Sequence, residues 1–298
     1  QLMRGERRDL VQVADGTERP ARIAVDALLA DRLLQGAALA WRSFGYAEAE
    51  LLLAPARAKL EQAEAVPAGL RARLVAAHGA SRFLAAWDRF DHAAAQGLWA
   101  ELPAATQAEL GEFAPALRRL ASAERAEREP LVLLDLWHNA QRRAAGGQHD
   151  DAVARCYRLV EWTAQWVLKS ECRIDTAAVQ RDQIGPQLFA RFARGGGHAP
   201  LKLGLEQALE CVRALLPGHP LTRQLGTKGK STQALKALTR WKERRNRSIL
   251  AHGFAPVGAV VWQEVEDWMA AHWRPWLGGE LADRGLALPQ LPQQLTPG

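Results

Sequence analysis

Two side chains at the end of a basic segment have the types and spacing for phosphate chemistry. They are Arg245 and His252, in RRNRSILAHG (244–253). On a helix turning about 100° per residue, seven positions bring them within about 20° of each other, two turns and about 10 Å apart. That separation matches the span of a nucleotide's sugar and phosphate. An arginine there can hold a phosphate and stabilise the charge it gains. A histidine, whose ordinary pKa lies near neutrality, can give or take a proton. Arg247 falls roughly 140° from His252 and Asn246 about 120°, so Arg245 shares the stripe and Arg247 does not. The stretch 223–247 also carries Arg223, Lys228, Lys230, Lys236, Arg240, Lys242 and Arg244 against one acid, Glu243. Such a density suits a polyanionic partner. The alternative is a solvated basic face.

Other candidate chemistry is weaker. GTKGKST (226–232) falls short of a phosphate loop, because G-x-x-x-x-G-K-[ST] requires a glycine where Gln224 stands, and no strand precedes it. The triple glycine at 195–197 does not fit a dinucleotide-binding turn. The histidines show neither H-x-x-x-H nor H-E-x-x-H spacing, and no carboxylate pair suggests glycosidase or two-metal chemistry. No metal or cofactor is expected. Leu159, Trp162 and Trp166 read as core. Asn139 with Arg142, and Arg158 with Glu161 as an i,i+3 ion pair, read as structural.

The elements that must carry these residues are helical. Ala, Leu, Arg and Glu dominate, while Ile, Tyr and Phe are scarce. LVQVADGTERPARIAV, in the first 24 residues, instead reads as a β-hairpin turning at Asp15–Gly16. Helical segments follow over 26–43, 46–64, 68–78, 80–96 and 104–125, with breaks at Pro55, Pro67–Gly69, Gly97 and Pro103. A second block opens near Glu129–Pro130. LVLLDLWHNAQRRAA forms one helix, and Asp150 or Asp151 caps the next. A further helix covers 201–216. STQALKALTRWKERRNRSILAHG forms another, from a Ser231 cap to Gly253, ahead of Pro256. The last helix lies near 258–275, and the Pro- and Gln-rich tail after Leu288 is expected to be loose.

The net charge is +6 and the pI about 9.6. Three scattered cysteines, Cys156, Cys172 and Cys211, give neither a disulfide framework nor zinc spacing. They fit a reducing cytoplasm. No run of about 18 apolar residues is present to span a membrane.

RRNRSILAHGF resembles the R-x(4–6)-H signature of HEPN ribonucleases, with Asn246 as the polar residue after the arginine. NAQRR (139–143), DDAVARCYRLVEWTAQ (150–165) and FLAAWDRFDHA (83–93) are similar to CRISPR-associated proteins that join a CARF sensor to HEPN, and RGERRDLVQVADGTE (4–18) to the sensor's last hairpin. The resemblance implies an all-α fold with a short N-terminal hairpin. Its parts are a hairpin remnant of a CARF domain (1–24), a helical linker domain (25–125) and a HEPN domain (126–298). It implies metal-independent cleavage of single-stranded RNA to 2′,3′-cyclic phosphate and 5′-OH ends, in antiviral defence. Arg245, Asn246 and His252 would be catalytic. Lys228, Lys230, Arg240, Lys242, Arg244 and Arg247 would track the RNA. A homodimer is implied, and a response to cyclic oligoadenylate only where a full CARF domain is supplied. The alternative is a helical module that binds RNA or a partner without cutting.

Overall fold

The computed structural model describes residues 10–12, 21–23, 25–60, 67–193, 200–225, 232–247 and 254–294. Strands β1 (Leu10–Gln12) and β2 (Ala21–Ile23) pair antiparallel, Leu10 opposite Ile23. The turn expected at Asp15–Gly16 lies outside the described residues. Apart from this pair and a single bridge between Val179 and Leu201, the regular elements among the described residues are helices. None of them is long and apolar enough to cross a membrane.

The chain forms two compact units, residues 1–121 with 289–298, and residues 122–288. The first contains α1 (Val25–Arg42), α2 (Tyr46–Leu60), α3 (Ala68–Asp88), α4 (His92–Ala100), α5 (Ala104–Glu109) and α6 (Ala114–Leu120). Its breaks differ from those read in the sequence. Pro55 sits inside α2. The carbonyl it leaves without a donor belongs to Leu51, an exposed residue whose backbone water can serve. Gly79 does not interrupt α3. It packs closely, since a Cβ there would stand 3.0 Å from the end of the Leu102 side chain, which would have to shift by a few tenths of an ångström. The break comes instead at Phe90, which adopts a left-handed φ of 63°, followed by Asp91, whose carboxylate caps α4 by accepting from the Ala94 N–H. Trp41, Phe83, Trp87 and Phe113 fill the core, and the Trp41 indole donates to the buried Ser81 hydroxyl. The described part of the tail, to residue 294, is held rather than loose: Leu291 is buried, and the Tyr46 hydroxyl donates to the Pro292 carbonyl at 2.7 Å.

The second unit is built on two long helices, α7 (Arg125–Ala145) and α8 (His149–Cys172). Between them Gly147, at φ +76°, makes the left-handed turn that an L side chain would resist. Neither expected aspartate caps α8, whose N-cap is Gln148. Asp150 instead accepts the Val257 N–H at 3.1 Å, and Asp151 pairs with Arg155. Short helices α9 (Arg181–Ile184) and α10 (Pro186–Phe192) lead to α11 (Leu205–Leu215), α12 (Pro220–Leu225) and α13 (Gln233–Asn246). The last element is α14 (Ala259–Trp268), which continues through a π turn (Met269–Trp273) into α15 (Arg274–Asp283). Pro275 has no N–H and its ring crowds the preceding turn, which the wider π turn relieves.

Tryptophans bind this unit together. Trp137 stacks on Trp262, and the Trp273 indole donates to the buried Thr163 hydroxyl at 2.8 Å. The Trp268 indole donates to the Ala234 carbonyl at 2.8 Å, fixing the first turn of α13.

Candidate functional site

Helix α13 starts at Thr232, whose hydroxyl accepts the Leu235 N–H, and Ser231 lies outside the described residues. Its buried face is Ala234, Leu238 and Trp241, at i, i+4 and i+7. Arg245 comes four positions after Trp241, about 40° around the helix, and so continues this stripe. An arginine thus occupies the place where the apolar pattern asks for another large hydrophobe.

The structure answers that misfit with an aromatic ring. The Arg245 guanidinium lies over Tyr157 of α8, 4.5 Å from the ring centroid. Its Nη1 donates to the Asn246 Oδ1 at 3.3 Å. Its Nε is buried and finds no hydrogen-bond partner among the described residues. No described carboxylate pairs with it. Burial, and then the Glu161 carboxylate, push the Tyr157 phenol above its ordinary pKa, against a smaller opposing pull from Arg245 and Lys242. The ring is therefore a neutral phenol at physiological pH.

The remaining cations divide by face. Lys242, about 60° from Arg245, lies on the same side of α13 and pairs with Glu206 in the first turn of α11. Arg240, Arg244 and Arg247 form a separate exposed stripe, between about 100° and 160° from Arg245. Arg244 pairs with Glu264 of α14. The sequence showed one acid against this basic run, whereas the fold brings others from α11 and α14. Lys228 and Lys230 lie outside the described residues.

The helix expected to run to Gly253 ends at Asn246, with Arg247 as its C-cap. The Ala255 N–H donates to the Arg247 carbonyl at 3.1 Å. His252 lies outside the described residues, so the stripe predicted to join it to Arg245 has only its first member here. Asp150 and Arg247 fasten the described chain that follows, at Val257 and Ala255.

A second polar group lies inside α7. Asp135 and Arg142 form an ion pair at 3.1 Å with both side chains 1% exposed. Asn139 and His138 are buried beside them. Burial, reinforced by the Arg142 charge and partly offset by Asp135, pushes His138 down to about 4. Asn139 and Arg142 thus have a structural place, as their spacing suggested, as does the Arg158–Glu161 pair. Tyr157, Asp135 and Glu206 were not singled out by the sequence, and Asp150 only as a helix cap. For Tyr157 a signal existed: the chain has two tyrosines, and this one stands beside the buried position Cys156.

Among the described residues, no group of three or more His, Cys, Asp or Glu is placed to hold a metal ion. The Arg245 guanidinium is thus half-buried, with Asn246 beside it and no ion pair to a carboxylate among the described residues.

The family model described as the Csm6 HEPN domain matches residues 121–273, just over half of the chain. The match covers the second unit from α7 to the π turn and includes the segment carrying Arg245 and His252. No curated protein and no solved structure matches the chain.

Proposed function

The chain belongs to the Csm6 HEPN family, which is CRISPR-associated and of ribonuclease type, and from that premise we propose that it is an endoribonuclease acting on single-stranded RNA without a metal ion. Arg245 binds the scissile phosphate and stabilises the charge that builds on its oxygens. The ribose 2′-OH attacks the adjacent phosphorus and the bond to the 5′ oxygen breaks. The products carry a 2′,3′-cyclic phosphate and a 5′-OH. His252 is the general acid or base of this exchange, a task for which an imidazole titrating near neutrality is suited. Asn246 holds the Arg245 guanidinium from one edge. The observation that carries this reading is that Arg245 stands half-buried on an apolar stripe with no described acid to neutralise it.

The active form is proposed to be a homodimer, in which the Arg245–His252 segments of two chains surround one phosphate. Cyclic oligoadenylate enters only through a complete CARF domain. The test is cleavage of an end-labelled RNA in EDTA, with the product termini identified. Cleavage with cyclic phosphate ends, lost in His252→Ala, is the expected result. Metal-dependent cutting, or an unchanged rate in the variant, contradicts the proposed chemistry. Salt-sensitive binding with no cutting points instead to a helical RNA-binding module. Mixing His252→Ala with wild-type chains should depress the rate beyond dilution if the dimer is the working form.

A further inference from the structure

We infer that Tyr157 is the positioning residue for Arg245, presenting its ring face so that the guanidinium is oriented without its charge being neutralised. The inference deepens the function proposed above and rests on it.

A long, flexible cation on an apolar stripe must be held by something if it is to meet a phosphate in one geometry. A carboxylate would hold it most simply, but it would occupy the same donors and cancel the same charge that a phosphate needs. Neighbouring cations of α13 are held in that way, Lys242 by Glu206 and Arg244 by Glu264. Arg245 is not. It rests on an aromatic face at 4.5 Å, a contact driven by the negative potential above the ring. A ring face, unlike a carboxylate, takes none of the guanidinium's N–H donors in a conventional hydrogen bond, so the Nη donors not engaged elsewhere stay available to a phosphate. One of these groups is committed, through a long 3.3 Å bond, to Asn246. The Nε group is buried with no acceptor among the described residues. The Tyr157 backbone is held in the middle of α8, next to the buried Cys156. Its phenol stays protonated at physiological pH, which keeps the ring neutral.

The test separates the ring face from the hydroxyl and from plain packing. Tyr157→Leu fills part of the same space without a π face, and Tyr157→Phe keeps the face without the hydroxyl. In RNA cleavage, Tyr157→Leu should lower kcat about tenfold with a smaller change in KM, because a displaced group costs rate more than binding. Tyr157→Phe should restore most of that loss. Binding of a fully 2′-O-methylated RNA, which has no 2′-OH to attack, allows a double-mutant cycle with Arg245→Ala. Each single change should weaken binding, and the double variant should be no weaker than Arg245→Ala alone. Multiplicative losses mean that the two residues act independently and overturn the inference. So does a Phe variant as impaired as the Leu variant. If wild type does not cut RNA, or Arg245→Ala cuts at the wild-type rate, the proposed function fails, while the binding cycle still reports whether Tyr157 and Arg245 act together.

Discussion

Two arginines in the second unit, Arg142 on α7 and Arg245 on α13, occupy positions where an apolar helix face would normally carry a hydrophobe. Arg142 is fully buried and locked to Asp135, with Asn139 and His138 packed around the pair. Its charge is cancelled by a partner seven positions back on its own helix. Arg245 is half-buried, lies on the Tyr157 ring, and forms no ion pair with a described carboxylate. On the proposed function, the difference separates an arginine that belongs to the fold from one held ready for a ligand. Burial does not make the distinction, since both leave water to some extent. The identity of the partner does: a carboxylate consumes the charge, and a ring face preserves it.

The largest expected effect breaks the fold side of this comparison. Arg142→Ala or Asp135→Ala breaks this buried pair inside α7 and should cost about 3–5 kcal/mol of stability, read by denaturant unfolding. Replacing both with leucine should cost far less, because no charge is then stranded. Equal damage from the single and double changes would mean that the pair does more than satisfy itself.

The next effect is set by acid. His138 titrates in the folded chain at about 4, below its ordinary 6.5. The folded state thus binds fewer protons than the unfolded one between those values. The contribution is complete above pH 6.5, shrinks as pH falls, and is gone below about 4. From pH 7 to pH 5 this amounts to about 2 kcal/mol. His138→Gln should flatten that part of the stability profile, and an unchanged slope would show that other groups set it.

The smallest effects concern the exposed cations. Lys242 shares the Arg245 side of α13, whereas Arg240 and Arg244 face away. Arg245→Ala should lower the salt slope of single-strand RNA binding by about 0.7, the yield of one phosphate contact, and Lys242→Ala, whose charge Glu206 already meets, by less. Arg240→Ala and Arg244→Ala should leave it nearly unchanged. Loss of the exposed Arg244–Glu264 pair should cost no more than about 1 kcal/mol of stability. A larger slope change from Arg240 than from Lys242 would place the RNA on the opposite face.

Much of this organisation can be read in the residues. Ala234, Leu238 and Trp241 mark the buried face of α13 by spacing alone, and Arg245 follows on the same stripe. Helix α8 is evident in its apolar period, and Gly146–Gly147 correctly ends α7. The end of α13 is a different matter. No glycine or proline stands at Arg247, and the nearest are Gly253 and Pro256. The helix stops where the Arg247 carbonyl takes the Ala255 N–H and where Asp150, a hundred residues earlier in the chain, takes the Val257 N–H. Those bonds are tertiary, and local spacing carries no trace of them. The same reason hid Tyr157 and Glu206, since nothing in the sequence sets α8 or α11 against α13. Pro55 and Gly79 misled in the opposite sense: one is tolerated at an exposed turn, and the other is a packing residue rather than a break.

The central claim is that the charge of Arg245 is spared for a phosphate and is not part of the fold. It is tested most directly by measuring single-turnover RNA cleavage and the melting temperature of Arg245→Ala side by side with wild type. The account predicts a rate lower by about 10²–10³, the usual loss when one transition-state donor is removed, with melting nearly unchanged. A variant that melts early while its folded fraction cuts at the wild-type rate would contradict it.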